Sequence, residues 1–551
     1  MAPEAASFLQ HPVIGRIGVR DGDGVVQCLG LKYASLENRL ADAQIMEYPS
    51  EGYLTATRHG PPVVMPHGAV DMEMQLIQQA IPKFDVPPMS DLDGLNLNIT
   101  LPKDCNKASR LPVLVFVHGG SFTFGSSSYP HYDQSRIVKL SMEMGKPIIA
   151  VNFNYRLGIP GFLSSKELSD AGFKPNRGLR DQRVALRWIK KYIPGFGGDP
   201  DQITLVGQSA GAGNTTLFDV YPILVSDLKF TASVDFHMQS EEALFSQAIL
   251  FGGSSALLKP REPEEAESVY NSAIRALALD EQSPESRIGS LLSIPVEVML
   301  AKASNEMIAV GPTIDHDLIP AAATLDANDM IESPISSNRW CKSLFSIDSQ
   351  FDGSIFNILS LHSRQQGITT SFQTHLIKTL GQTAASKVLD HYNIRDNTPD
   401  EESLLSITQA ITDVGYYALS VKFAESFPGD CVLGHLNEPN PWDGVHTGWA
   451  NHILDIAYLW GNYDEKYGQE NRHVARSLAE DVLSFVNGGD NLPAFGAEEK
   501  KVVVYGPGID GVSRQILRWN DGATARDGTI FELAKEVGGL GKLLEALLSF
   551  C

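Results

Sequence analysis

Between residues 111 and 206 the chain changes its hydrophobic period twice, and few folds accept that pattern. The runs "LPVLVFV" at 111–117 and "KPIIAVNF" at 146–153 are rich in β-branched residues and bounded by Pro, Gly or charged segments, which suits strands buried on both faces. A third run, "QITLV" at 202–206, has the same character. Between the last two lies "RDQRVALRWIKKYI" at 180–193, in which Val184, Leu186, Trp188, Ile189 and Ile193 recur at helical spacing with charge opposite them. Strand, helix, strand in that order predicts an α/β fold, a mostly parallel central sheet flanked by helices. From 260 to 430 the pattern becomes mainly helical, with a Pro- and Ser-bearing interruption near 332–350. That span reads as a large helical insertion within one catalytic domain over 1–551, since no repeat, low-complexity tract or Gly/Ser linker divides the chain.

Composition narrows the function. With 66 acidic and 44 basic residues the formal net charge is −22, which opposes binding to nucleic-acid phosphates or anionic lipid surfaces. No stretch approaches the ~18 apolar residues of a membrane span, and the first residues, "MAPEAASFLQHPVIGRIGVRDG", lack a basic segment followed by an apolar one. The expectation is a cytoplasmic protein whose five cysteines, Cys28, Cys105, Cys341, Cys431 and Cys551, are reduced. They form no C-x-x-C pair, and neither a metal nor an organic cofactor is implied.

After the third strand comes "GQSAG" at 207–211, one serine between two glycines. Glycines there suit a chain that leaves a strand and turns sharply, lifting the Ser209 hydroxyl clear of the sheet. A G-x-S-x-G match arises by chance about 0.2 times in such a chain, so the motif needs partners. Acyl transfer by serine requires a base, an acid that orients it, and donors for the oxyanion. "HGGS" at 118–121 follows the first strand with little side-chain bulk, so the backbone N–H groups of Gly120 and Ser121, with that of Ala210, are candidate donors. A turn needed only for chain reversal would look similar.

Longer blocks decide between these readings. "HGGSFTFGS", "NFNYRLGIPGFL" at 152–163, the segment 176–212, "FSQAILFGGSS" at 245–255, "FDGSIF" at 351–356, "AITDVGYYAL" at 410–419 and "NHILDIAYLWG" at 451–461 occur in order. In these the chain resembles the type B carboxylesterase/lipase family of α/β-hydrolases, the group that includes cholinesterases and several fungal lipases. The resemblance implies Ser209 as nucleophile, Gly120, Ser121 and Ala210 as oxyanion donors, and an acid in the segment Gln350-Phe351-Asp352-Gly353-Ser354. Asp352 then stands where the family carries glutamate, so loop or ring must shift to close about one methylene; Asp348, just upstream, is the rival. His452 fits the family base, with Asp455, Tyr458 and Gly461 downstream in register, and His446 is its rival. Ser254 resembles the family serine that supports the acid, although a turn role accounts for it as well.

Two departures matter. The family block that ends the N-terminal disulfide loop reads Leu92-Asp93-Gly94-Leu95-Asn96-Leu97-Asn98 here, without its cysteine, and Gln208 replaces the common glutamate before the nucleophile. Attraction for cationic esters should therefore be weaker. The resulting expectation is a serine carboxylic ester hydrolase acting on a neutral or anionic small-molecule ester. An acyl-transferring or lactone-processing enzyme with the same triad, and a non-catalytic binding protein of the same fold, are the alternatives.

Overall fold

A computed structural model describes residues 7–49, 52–211, 233–253, 257, 259–305, 308–325, 330–332, 340–496, 499–509 and 511–551. Among these a 13-stranded sheet organises the chain. Its order is Phe8–His11, Gly15–Asp21, Val25–Lys32, Asn96–Pro102, Ile149–Phe153, Leu111–Val117, Gly198–Gln208, Gln247–Phe251, Ser343–Ser349, Asp430–Leu436, Lys501–Ile509 and Val512–Arg518, with Tyr53–Ala56 paired to Gly15–Asp21. Every neighbouring pair from Ile149–Phe153 to Lys501–Ile509 is parallel, and the sheet becomes antiparallel towards both ends. Val113 to Val117, Ile149 to Val151, and Ile203, Leu205 and Val206 are all buried, as expected of strands covered on both faces.

The strand order reverses around Leu111–Val117. The chain moves from it to Ile149–Phe153 on one side, then crosses back to Gly198–Gln208 on the other. In open parallel sheets the crevice beyond the C-terminal strand ends at such a reversal is where ligands gather. The segments that leave those two ends are His118-Gly119-Gly120-Ser121 and Ser209-Ala210-Gly211.

The helix anticipated at 180–193 runs Arg177–Tyr192 and buries Ala185, Leu186, Trp188 and Ile189. Asp181 does not lie on a wet face. It is fully buried, and its two oxygens accept from the Arg156 guanidinium and backbone N–H at 2.7–3.0 Å. That pair fixes the segment leaving Ile149–Phe153, where the Gly158 N–H donates to Phe122 O at 2.7 Å behind the HGGS turn.

The span 260–430 is mainly helical but is not one insertion. Helices Pro263–Ala276, Pro284–Ser293 and Val296–Asn305 precede, and Ile368–Leu380, Gln382–His391, Asp400–Ile411 and Leu419–Ser426 follow, the strand Ser343–Ser349 in the middle of the sheet. Its sequence, "SLFSIDS", is buried along nearly its whole length, so it lacks the polar–apolar alternation that marks a half-exposed strand. Helices Ile530–Val537 and Leu540–Leu548 pack on the second helical group. None of the five cysteines is paired, and no helix among the described residues is long and apolar enough to cross a membrane.

Candidate active site

Ser209 follows the strand Gly198–Gln208 with φ +55°, a left-handed conformation costly for a non-glycine residue. Its N–H donates to Phe251 O at 3.0 Å, and the Gly211 N–H to Gln208 O at 2.8 Å, so the turn is locked at both ends. The glycines are needed for close approach. A Cβ on Gly211 would lie 2.1 Å from Val117 O, and one on Gly119 would lie 2.8 Å from Ser209 Cβ. The HGGS turn and the serine turn thus touch through bare backbone. Gly120 has φ +93°, while Ser121 and Phe122 both have φ +57°; the Thr123 and Phe124 N–H groups close the turn on Gly120 O. The N–H groups of Gly120, Ser121 and Ala210 make no backbone hydrogen bond among the described residues.

His452 and Asp352 meet on the next strand ends. His452 Nδ1 donates to Asp352 Oδ1 at 2.8 Å, and Asp352 Oδ2 accepts the Ser349 N–H at 2.7 Å. The loops that carry Asp352 and His452 are tied to each other. Phe351 forms a parallel bridge with Asn451, its N–H donating to Ala450 O at 2.9 Å, and the His452 N–H donates to Ser354 Oγ at 3.1 Å. Ile453, next to the ring, is held at φ +72°, severe for a β-branched residue. On the far side of the ring, His452 Nε2 lies 3.4 Å from the Gln208 amide nitrogen, adjoining Ser209. The structure therefore pairs His452 with Asp352 and sets the ring against Gln208, the residue before Ser209.

The electrostatics distinguish the rival groups. Burial pushes the Asp352 carboxyl above its ordinary value, opposed by its bonds from His452 and Ser349. Asp348 faces His435 instead of His452, with His435 Nδ1 2.7 Å from its Oδ2, and Arg526 Nε donates to Oδ1 at 2.6 Å. His446 sits in the preceding turn, its N–H donating to Gln78, and burial holds its ring down to about 4. His118 is likewise held to about 4 by burial; its Nδ1 is 2.9 Å from Gly119 O and its ring stacks on Tyr155, so it braces the HGGS turn. Asp455 is buried beside Asp352 and is pushed well above the carboxylate range by burial and by that neighbour. Ser254 lies outside the described residues, so its candidate role has no geometry here.

Sequence reasoning missed Gly252. With φ +59° it lies against the acid–histidine pair, an added Cβ falling 3.1 Å from both Asp352 Oδ1 and His452 Cε1. The double glycine after Gln247–Phe251 was the available signal. No cluster of His, Cys, Asp and Glu among the described residues is arranged to hold a metal ion.

Residues 12–524 match the model of the carboxylesterase family. The chain belongs to the carboxylesterase family. Secreted lipase 1 of Botryotinia fuckeliana (strain B05.10) is 30% identical over 419 residues, 72% of this chain and 68% of that one. Lipase 1 of Geotrichum candidum is 28% identical over 325 residues, an alignment spanning 52% of this chain and 55% of the lipase. Among solved structures, a thermophilic PNB esterase superposes with a TM-score of 0.70 at 22% identity, covering 95% of this chain and 99% of the other. That likeness and the sheet order identify the α/β-hydrolase fold, and the family with its lipase relatives supports a carboxylic ester hydrolase.

Proposed function

We propose that this carboxylesterase-family protein hydrolyses small carboxylic esters through an acyl-enzyme on Ser209. The observation that carries the reading is the His452–Asp352 contact at 2.8 Å, with the opposite ring nitrogen turned to the Ser209 turn. Asp352 keeps the proton on Nδ1 and so leaves the Nε2 lone pair to accept the Ser209 hydroxyl proton. Attack of Oγ on the ester carbonyl forms a tetrahedral oxyanion, to which the Gly120, Ser121 and Ala210 N–H groups donate. The imidazolium then gives its proton to the leaving alkoxide, and water repeats the sequence to release the acid.

Two features bear on the substrate. The residue before the nucleophile is an uncharged amide, so that position supplies no anion to draw a cationic ester. Next to the HGGS turn, Thr123, Val64, Met65, Leu157, Ile159 and Met299 line an apolar cavity of about 40 Å³, which favours a small apolar group on one side of the ester.

A fluorophosphonate applied to the native protein should attach to Ser209, and Ser209→Ala should lose both labelling and p-nitrophenyl ester turnover, by roughly 10³-fold or more in kcat. Labelling at another serine, or turnover retained in Ser209→Ala, would overturn the mechanism.

A further inference from the structure

Beneath the acid loop lies a buried charged cluster that ester hydrolysis does not use directly. Asp348 is the penultimate residue of the strand Ser343–Ser349 and stands opposite His435 in the neighbouring strand. Its carboxylate accepts from His435 Nδ1 at 2.7 Å and from Arg526 Nε at 2.6 Å. The side chains of all three are at most 1% exposed. Arg526 is itself fixed: Nη1 donates to Asn437 Oδ1 at 2.6 Å, and the Asn437 amide donates to Thr524 O at 2.9 Å.

One peptide group connects this cluster to the acid. The carbonyl of Asp348 accepts from Arg526 Nη2 at 3.4 Å. The N–H of the same peptide, belonging to Ser349, donates to Asp352 Oδ2 at 2.7 Å. A cation on the carbonyl polarises the peptide and strengthens the bond its N–H makes, because hydrogen bonds in series reinforce one another at low dielectric. We propose that Arg526 is a positioning residue for Asp352, acting through the Asp348–Ser349 peptide and by neutralising the Asp348 carboxylate beside the acid loop. The inference rests on the reading of Asp352 as the acid and extends it to a residue beyond 12–524, the stretch by which the family is recognised.

Charge balance points the same way. Burial opposes ionisation of Asp348, yet Arg526 and His435 hold its carboxyl below the ordinary value. Burial keeps the His435 ring down, so its contribution is a neutral hydrogen bond. Asp348 is also among the groups that raise Asp352. Around the cluster stand Tyr417 and Asp413 from the π-helical segment Thr412–Ala418, and Asp527; across the acid loop stand His452 and Asp455. Arg526 is the cation paired with Asp348. Without it an anion is left buried near the acid–histidine pair, and an added anion stabilises the His452 imidazolium.

The test uses the full chain, a p-nitrophenyl ester and four variants: Arg526→Gln, Arg526→Lys, Asp348→Asn with Arg526→Gln, and Asp352→Asn. Arg526→Gln should lower kcat roughly tenfold, as a small misplacement of a reacting group does, with KM little changed and the acid limb of kcat/KM moved to higher pH. Arg526→Lys should recover part of kcat. The double variant should return the acid limb to the parental pH while kcat stays low, which a purely structural role would not produce. If Arg526→Gln fails to fold, the lysine and double variants carry the test. Folded variants with parental kcat and an unmoved acid limb, alongside an inactive Asp352→Asn, overturn this inference alone. A fully active Asp352→Asn takes the reading of the site down with it.

Discussion

Gly252→Ala tests the site without replacing a reacting group. The new methyl would lie 3.1 Å from Asp352 Oδ1, 3.1 Å from His452 Cε1 and 3.3 Å from His452 Nδ1, where ordinary contact begins at 3.4 Å, so the pair must give by a few tenths of an ångström. Since a displacement of 1 Å can cost about a hundredfold in rate, this shift should lower kcat by roughly tenfold, with KM nearly unchanged. The backbone adds a separate effect, because alanine at φ +59° costs about 1–2 kcal/mol of stability. Gly172→Ala isolates that second part: Gly172 has φ +90° and nothing within 4 Å of its Cβ. Steady-state kinetics on a p-nitrophenyl ester and urea unfolding of both variants separate the effects. Equal losses of stability with parental kcat in both variants would refute the contact, and with it the geometry derived for Asp352 and His452.

His452→Ala should abolish ester turnover, while His446→Ala should leave kcat within a fewfold of the parent; the reverse would reassign the base. Gln208→Glu, which sets an anion beside His452 Nε2, should move the acid limb of kcat/KM to higher pH, and an unmoved limb would contradict that proximity. The His446 ring is neutral in the fold because burial lowers it from 6.5 to about 4, so it contributes no pH dependence above 6.5 and destabilises the fold as pH falls below 6.5. Unfolding free energies should therefore show His446→Gln gaining about 2 kcal/mol on the parent between pH 7.5 and pH 5, and a constant difference would exclude a buried neutral ring. Thiol titration in denaturant without reductant should find five groups, since none is paired; fewer would mean a disulfide.

The sequence is legible where one residue type answers to one local demand. The strand Leu111–Val117, the helix Arg177–Tyr192 and the glycines around Ser209 were read from period and backbone need. Ser343–Ser349 was not, because burial on both faces and its small serines remove the period-two signal. The Phe351–Asn451 bridge beside Asp352 is a pairing across 100 residues that local sequence cannot encode. The same limit hid the Asp348–His435–Arg526 cluster, whose members become neighbours only through strand register and the fold of residues beyond 520.

The parallel strands that end at this crevice have a consequence for how activity emerges. The candidate groups are drawn from segments as far apart in the chain as Gly120 and His452, and the histidine and the acid brace each other across 100 residues. Contacts between segments so distant form late, after the loops between them have closed. During refolding, helical circular dichroism should therefore return before fluorophosphonate labelling of Ser209. Labelling would then count only molecules whose sheet is complete through Asp430–Leu436, making ester turnover a stringent measure of native yield.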